Sequence, residues 1–347
     1  MENRRSFLKK LGLGAVGIGA FPGISKASST NGISDDGDEH FRIVHLTDQH
    51  VTKRRQGHKG YAKCVESINN LQHQPDLVLM GGDMAFDGLY TDLDKFDTQI
   101  QEFKTISDKL NMPWHPCIGN HDVLGLSPRR KVPANHPEIG SDYIQNRIGM
   151  EKPYYSFNHK GWHFVVLNSI YQTKEDHGPG YEPRIGEKQR EWLRYDLGDH
   201  ADMPTIVVTH YALFNHMGQI NADTEMKAMN HLVLQDTKEV RLILERHNVK
   251  AVLQGHTHMT EDFIFNGIRY GTSQAASAAW WGGNWLGFKP GYTVLTLGKD
   301  DILNWERIIY KWEHQLEPED KTERERIETL KQHQAKQDSL YKAEISG

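Results

Sequence analysis

The stretch Ile43-Val44-His45-Leu46-Thr47-Asp48-Gln49-His50 decides the reading of this 347-residue chain. An apolar run of strand character ends in a carboxylate and an imidazole, side chains that bind metal ions. The arrangement recurs four times downstream. Leu77-Val78-Leu79-Met80 leads to Gly82-Asp83, and Cys117-Ile118 to Gly119-Asn120-His121-Asp122. Ile206-Val207-Val208 leads to His210, and Ala251-Val252-Leu253 to Gly255-His256-Thr257-His258. In an α/β sheet, ligands gather at the carboxyl ends of the strands. Five such ends, all carrying oxygen or imidazole donors, describe one rim that holds a pair of metal ions.

Between these segments lie stretches of helical length. Helices are expected over 61–73, 92–110, 187–197 and 236–247, each between two strands, which predicts parallel crossovers early in the chain. Later, strand-like runs crowd together at 262–266, 268–272, 292–297 and 302–310. Asn266-Gly267 and Lys299-Asp300 read as hairpin turns. The fold class is therefore α/β, with two packed mixed β-sheets flanked by helices. Because the motifs run continuously from Asp48 to His258, they occupy one unit.

Taken in order, D-x-H, G-D, G-N-H-D, a lone His and G-H-x-H resemble the signature blocks of the calcineurin-like metallophosphoesterases, over residues 41–298. The resemblance implies a four-layer α/β/β/α sandwich and a dinuclear-metal phosphoester hydrolase. By it, one ion takes Asp48, His50, Asp83 and His258; the other takes Asp83, Asn120, His210 and His256, with Asp83 bridging. Imidazoles among oxygen donors suit divalent Mn, Fe, Zn or Co better than Mg or Ca. Two such ions about 3.5–4 Å apart can hold a bridging hydroxide and clamp the attacking and leaving oxygens of a phosphoester.

The same resemblance turns His121 toward the substrate, to protonate the leaving alkoxide or stabilise the transition state, with Asn120 on the phosphoryl oxygens. Asp122 is expected to fix the tautomer of His121 and hold up its pKa. Purple acid phosphatases carry a Tyr three residues after the Asp of the second block. That position is Phe86 here, so a ferric tyrosinate is not available. The D-x-H opening is similar to that of bacterial cyclic-nucleotide phosphodiesterases.

Three segments are long enough to shape a pocket. Residues 123–155 contain Arg129, Arg130 and Lys131, which could grip a second anionic group or form a solvated basic loop. Residues 213–227 contain His216, a rim candidate. Residues 279–285 contain Trp280 and Trp281, which could stack a base or sugar, or close the edge of a core. Histidines without motif context (His115, His136, His159, His163, His200, His247) read as ordinary surface or structural residues.

The opening Asn3-Arg4-Arg5-Ser6-Phe7-Leu8-Lys9-Lys10, an apolar stretch over 11–24 and Ser25-Lys26-Ala27 resemble a twin-arginine signal. The apolar stretch is too short for a comfortable membrane span. The expected division is a signal over 1–27, a polar linker over 28–40, the catalytic domain over 41–312 and a charged helix or tail over 313–347. The protein is then periplasmic or secreted, a partner of the twin-arginine export machinery with no stable membrane anchor after signal removal.

Residues 1–27 carry a net +4, so the remainder stands near −9 against −5 for the whole chain. That acidic balance argues against nucleic acid as a partner. Two cysteines, Cys64 and Cys117, make no disulfide framework and read as buried free thiols. The substrate is expected to be a small phosphomonoester or phosphodiester. A non-catalytic binding protein on the same fold and a nuclease are the other readings.

Overall fold

Strand β1 (Phe41–Leu46) shows why two sheets form. Its side chains alternate with the pleat, and both faces are apolar, so each face must be covered. Ile43 enters one core while Val44 and Leu46 enter another. The computed structural model describes residues 40–216 and 231–318, together with positions 320, 321, 325 and 332. The signal expected over 1–27, all but the last residue of the linker expected over 28–40, and most of the charged tail lie outside the described residues.

One sheet joins β1 to β2 (Leu77–Met80), β3 (Trp114–Pro116), β12 (Gly291–Leu297) and β13 (Ile302–Ile309), in the order β13-β12-β1-β2-β3. The other joins β4 (Tyr155–His159), β5 (Trp162–Val166), β8 (Thr205–Val208), β9 (Val249–Gln254), β10 (Glu261–Phe265) and β11 (Ile268–Thr272), in the order β10-β11-β9-β8-β5-β4. A separate hairpin pairs β6 (Ile170–Glu175) with β7 (Gly178–Pro183).

The expected crossovers are present. Helices α1 (Gly57–Asn69) and α2 (Leu93–Ser107) link the parallel strands β1, β2 and β3. Helices α4 (Gly186–Asp199) and α5 (Thr237–Leu244) lie before and after β8, which runs parallel to β5 and β9. The hairpin β10–β11 turns at Asn266 and Gly267, both at positive φ, as a type I′ turn requires.

Three cores separate four layers. Ile43, Leu79, Phe164, Val166, Ile206, Val208 and Leu253 interdigitate between the sheets. Val44, Leu46, Val78 and Met80 pack on α1 and α2 through Tyr61, Ile68, Phe96 and Phe103. Val165, Val207 and Val252 pack on α4 and α5 through Leu193, Val240 and Leu244. This is the α/β/β/α order. Cys64 and Cys117 are buried free thiols, as expected.

Some boundaries differ from expectation. The strand before Gly119 is Trp114–Pro116; Cys117 still donates its N–H to Met80 at 2.9 Å, and Gly119 packs directly against Gly82 and Asp83. The segment 123–155 is not simply a loop, since it contains α3 (Asp142–Ile148). The start of the tail is fastened down: Asp320 is buried, bonded by Arg55 and Arg54, and Glu317 accepts the N–H of Arg55 at 2.8 Å. Among the described residues no helix is long and apolar enough to cross a membrane.

Candidate metal centre

The strands β1, β2, β3, β8 and β9 end side by side, and each delivers its candidate metal ligands within four residues of its last position. The loops are cross-tied by backbone bonds: Asp48 N to Gly82 O at 2.9 Å, His50 N to Asp83 O at 2.8 Å, and Gly255 N to His210 O at 3.0 Å. Gly119 permits the closest approach, because a methyl there would overlap Asp83. Asp48, His50, Asp83, His256 and His258 all hold φ between 41° and 71°. Non-glycine residues seldom adopt that region, and where they cluster the strain marks function.

The side chains form two adjoining groups. Asp48, His50 and His258 converge in one: His258 Nε2 lies 3.3 Å from Asp48 Oδ1 and 3.1 Å from His50 Nε2. Asp83, His210 and His256 converge in the other. Here His210 Nε2 lies 3.2 Å from Asp83 Oδ2 and 3.1 Å from Asn120 Oδ1. Asp83 Oδ2 is also 3.5 Å from His50 Nε2, so it stands between the groups.

The donor set fits cations. His210 Nδ1 donates to Gly81 O at 2.8 Å and His258 Nδ1 donates to Ala278 O. When neutral, both rings therefore turn a bare Nε2 toward carboxylate, amide and imidazole acceptors. His256 Nε2 is held by His231 O at 3.1 Å, which leaves Nδ1 as its lone-pair nitrogen. Lone pairs directed at lone pairs repel unless a positive charge lies between them. Mixed N and O donors in this number suit divalent Mn, Fe, Co or Zn.

The electrostatics agree. Burial raises Asp83, but the surrounding histidines, His210 first, hold it well below the carboxylate range. Burial lowers His210, yet Asp83 and Asp48 outweigh it and lift it to about 9, so at neutral pH a bound cation would displace its Nε2 proton. His256, dominated by burial and by His210, is pushed down to about 3. The site is thus negative and draws a cation.

A family model for calcineurin-like phosphoesterases matches residues 41–260. The chain belongs to the calcineurin-like phosphoesterase family. It is a metal-dependent phosphoesterase. This phosphoesterase is 28% identical over 224 residues to a probable cyclic nucleotide phosphodiesterase of Synechococcus sp., covering 62% of this chain and 72% of the relative. It is 23% identical to the 3′,5′-cyclic adenosine monophosphate phosphodiesterase of Escherichia coli, covering 67% and 75% of the two chains. It is 23% identical to the tartrate-resistant acid phosphatase type 5 of Sus scrofa, covering 60% and 59%.

All of Asp48, His50, Asp83, Asn120, His210, His256 and His258 come together, with His121 at the edge, its ring 4.9 Å from that of His50. Other expectations change. Asp122 accepts N–H groups of Gly119 at 2.8 Å and Ala85 at 2.9 Å, so it clamps two motif loops. Burial, then the charge of Asp83, pushes its carboxyl up to about 7. The carboxylate beside His121 is instead Asp87, with Oδ1 3.8 Å from His121 Nδ1.

His216 pairs with Glu261 at 2.9 Å and does not join the cluster; residues 217–230 of its segment lie outside the described residues. Arg130 is bound to the carbonyls of Ser127, Pro179 and His177, fastening its loop to the β6–β7 hairpin. Arg129 stacks over Tyr90, 4.7 Å from the ring centre. The two tryptophans divide the readings left open for them. Trp280 lies against His258, with ring centres 4.3 Å apart, and lines a cavity; Trp281 is fully buried against α1.

Asp87, Tyr90, Arg55 and Tyr181 had no motif context. Asp87 could have been noticed four residues after Asp83, but the spacing alone says nothing of which way its carboxylate points.

Proposed function

We propose that this chain hydrolyses small phosphoesters with two divalent transition-metal ions, one held by Asp48, His50, Asp83 and His258, the other by Asp83, Asn120, His210 and His256. The observation that carries this is the place of Asp83 Oδ2, within 3.5 Å of His50 Nε2 and 3.2 Å of His210 Nε2. Such ions, when bound, polarise phosphoryl oxygens and lower the pKa of water. His121, at the mouth of the site, delivers a proton to the departing alcohol; Asp87 orients its ring in the role first given to Asp122. Asn120 contacts the phosphoryl group. The named activities of the relatives, cyclic nucleotide phosphodiesterase and acid phosphatase, support both diesters and monoesters as substrates.

The test is metal analysis together with hydrolysis of aryl phosphate mono- and diesters by Mn-supplemented protein. Wild type should retain two ions and turn over, while Asp83→Asn should lose at least one ion and most activity. Inactivity with both ions bound would leave a binding scaffold instead. Nuclease activity is disfavoured by the acidic balance of the chain, and slow cleavage of single-stranded DNA relative to small diesters is expected.

We also propose export by the twin-arginine route, supported by Arg4-Arg5 ahead of the apolar stretch over 11–24. Replacing both arginines by lysine should leave the protein in the cytoplasm on fractionation.

A further inference from the structure

Two cavities open at this site, and they differ in chemistry. The first, of about 320 Å³, is lined by Phe86, Tyr90, His121 and Trp280, with Arg54 and Arg55 at its side. It adjoins the Asp48 group, since Trp280 and Phe86 lie 5.7 and 6.3 Å from His50, ring centre to ring centre. Arg54 and Arg55 are already engaged by Asp320, which leaves the aromatic faces as the distinguishing surface of this cavity.

The second, of about 300 Å³, is lined by Ser127, Glu175, His177, Tyr181, Tyr211 and His231 among others. It adjoins the Asp83–His210 group: the Tyr211 ring lies 4.0 Å from that of His256, and Tyr181 bonds to Tyr211 at 3.2 Å. Tyr90 is a wall of both cavities, and Arg129 lies over its ring.

We infer that the preferred substrate is a linear phosphodiester with two unlike arms, a flat aromatic or apolar group on the Trp280 side and a polar, hydroxyl-bearing group on the Tyr181 side. The inference rests on the phosphoesterase reading above. A phosphoryl group placed at Asp83 has one cavity beside the Asp48 group and another beside the His210 group, each near the lower end of the range for small-ligand pockets. A linear diester fills both. A monoester has one organic arm, and a cyclic nucleotide carries both ester oxygens on one compact body, so either leaves a cavity unused. Aromatic side chains at Phe86, Tyr90 and Trp280 reward stacking, whereas the second cavity presents two polar pairs, Glu175 with His177 at 2.9 Å and Tyr181 with Tyr211, whose remaining lone pairs can accept from a ligand hydroxyl. In the reaction water adds to phosphorus and one ester P–O bond breaks. The alcohol departs with a proton, and a phosphomonoester remains.

The experiment compares kcat/KM of the full chain, loaded with Mn, on four substrates: bis(4-nitrophenyl) phosphate, 4-nitrophenyl 2,3-dihydroxypropyl phosphate, 4-nitrophenyl phosphate and 3′,5′-cyclic AMP. Both linear diesters should exceed the monoester and the cyclic ester by about tenfold or more, a margin that one additional seated arm can supply. Trp280→Asn, chosen because asparagine tolerates the φ of 49° there, should depress the linear diesters about tenfold more than the monoester. Tyr181→Phe should depress the dihydroxypropyl diester selectively, and it tests the second cavity even where the Trp280 variant fails to fold. Preference for the monoester or the cyclic ester overturns the inference, as does a variant that scales all substrates by one factor. No hydrolysis of any substrate by metal-replete wild type overturns the phosphoesterase reading itself and this inference with it.

Discussion

The indole Nε1 of Trp281 donates to the backbone oxygen of His50 across 2.9 Å. Trp281 therefore fixes from behind a ligand-bearing loop whose φ at His50 is 41°. The indole sits on α1 where Gly57 and Gly60 leave room, and a methyl at either glycine would overlap it. Trp281→Phe would leave a buried carbonyl unpaired, at about 1–3 kcal/mol. Gly60→Ala should cost a similar ~1–3 kcal/mol by overpacking, because the rigid ring is backed by Trp312. Both variants should show lower melting temperature and weaker metal retention by equilibrium dialysis. Unchanged retention in both would mean that the His50 loop holds itself.

His121 Nδ1 is buried without a hydrogen-bond partner, and the nearest carboxylate oxygen is Asp87 Oδ1 at 3.8 Å. Asp87 is itself held by the N–H of Leu89 at 3.0 Å and the hydroxyl of Thr91 at 2.7 Å, so it is a fixed reference for the ring. His121→Ala should retain both metals and lose about 10²–10⁴ in kcat on esters with poor leaving groups, the usual span for a proton donor. Asp87→Asn should lose less, about tenfold, with the loss growing as the leaving-group pKa rises. Equal losses on good and poor leaving groups would assign Asp87 to loop structure alone.

How far the sequence speaks depends on whether a feature is local. Asp48, His50, Asp83, His210, His256 and His258 were legible because each ends a strand, and strand ends of one sandwich share a rim. The helices were legible from alternation with strands, to within a few residues at their ends. Asp122 was expected beside His121 and Asp87 was not singled out, because loop direction, not spacing, decides which carboxylate reaches His121. Arg130 stood open between an anion ligand and a solvated basic loop, because the sequence does not show the β6–β7 hairpin that supplies its carbonyl partners. That hairpin and α3 carry too few periodic apolar residues to announce themselves. Trp280 and Trp281 are neighbours in sequence, yet both adopt positive φ and face different surroundings, a cavity and a core.

Removing metal should destabilise the folded chain. Five candidate ligands at positive φ and converging lone pairs are conditions a bound cation relieves. A ligand at about 100 times its Kd contributes about 2.7 kcal/mol to the folded state. Chelation should therefore lower the melting temperature by several degrees, and added Mn should restore it. A melting temperature indifferent to both would argue against ions at this site.

Asp320 joins the end of the described chain to the site. It accepts from Arg55 Nε and Nη2 at 2.9 Å each, and Arg55 Nη1 donates to the carbonyl of Trp280 at 2.9 Å. The hydrogen bond from Arg55, ahead of an opposing burial effect, holds the Asp320 carboxyl well below its ordinary range. A carboxyl lowered in the folded state contributes stability above its unfolded pKa, near ~3.9, and loses that contribution as pH falls toward the folded value. Asp320→Asn should therefore be less stable than wild type at pH 7, by about 1–3 kcal/mol, the cost of leaving the buried Arg55 without its charged partner. The gap should narrow below about pH 4. The variant should also weaken binding of aryl diesters, because Trp280 loses its tether through Arg55. Parallel melting curves for the two proteins from pH 7 to pH 3 would show that Asp320 does not carry this charge in the folded state.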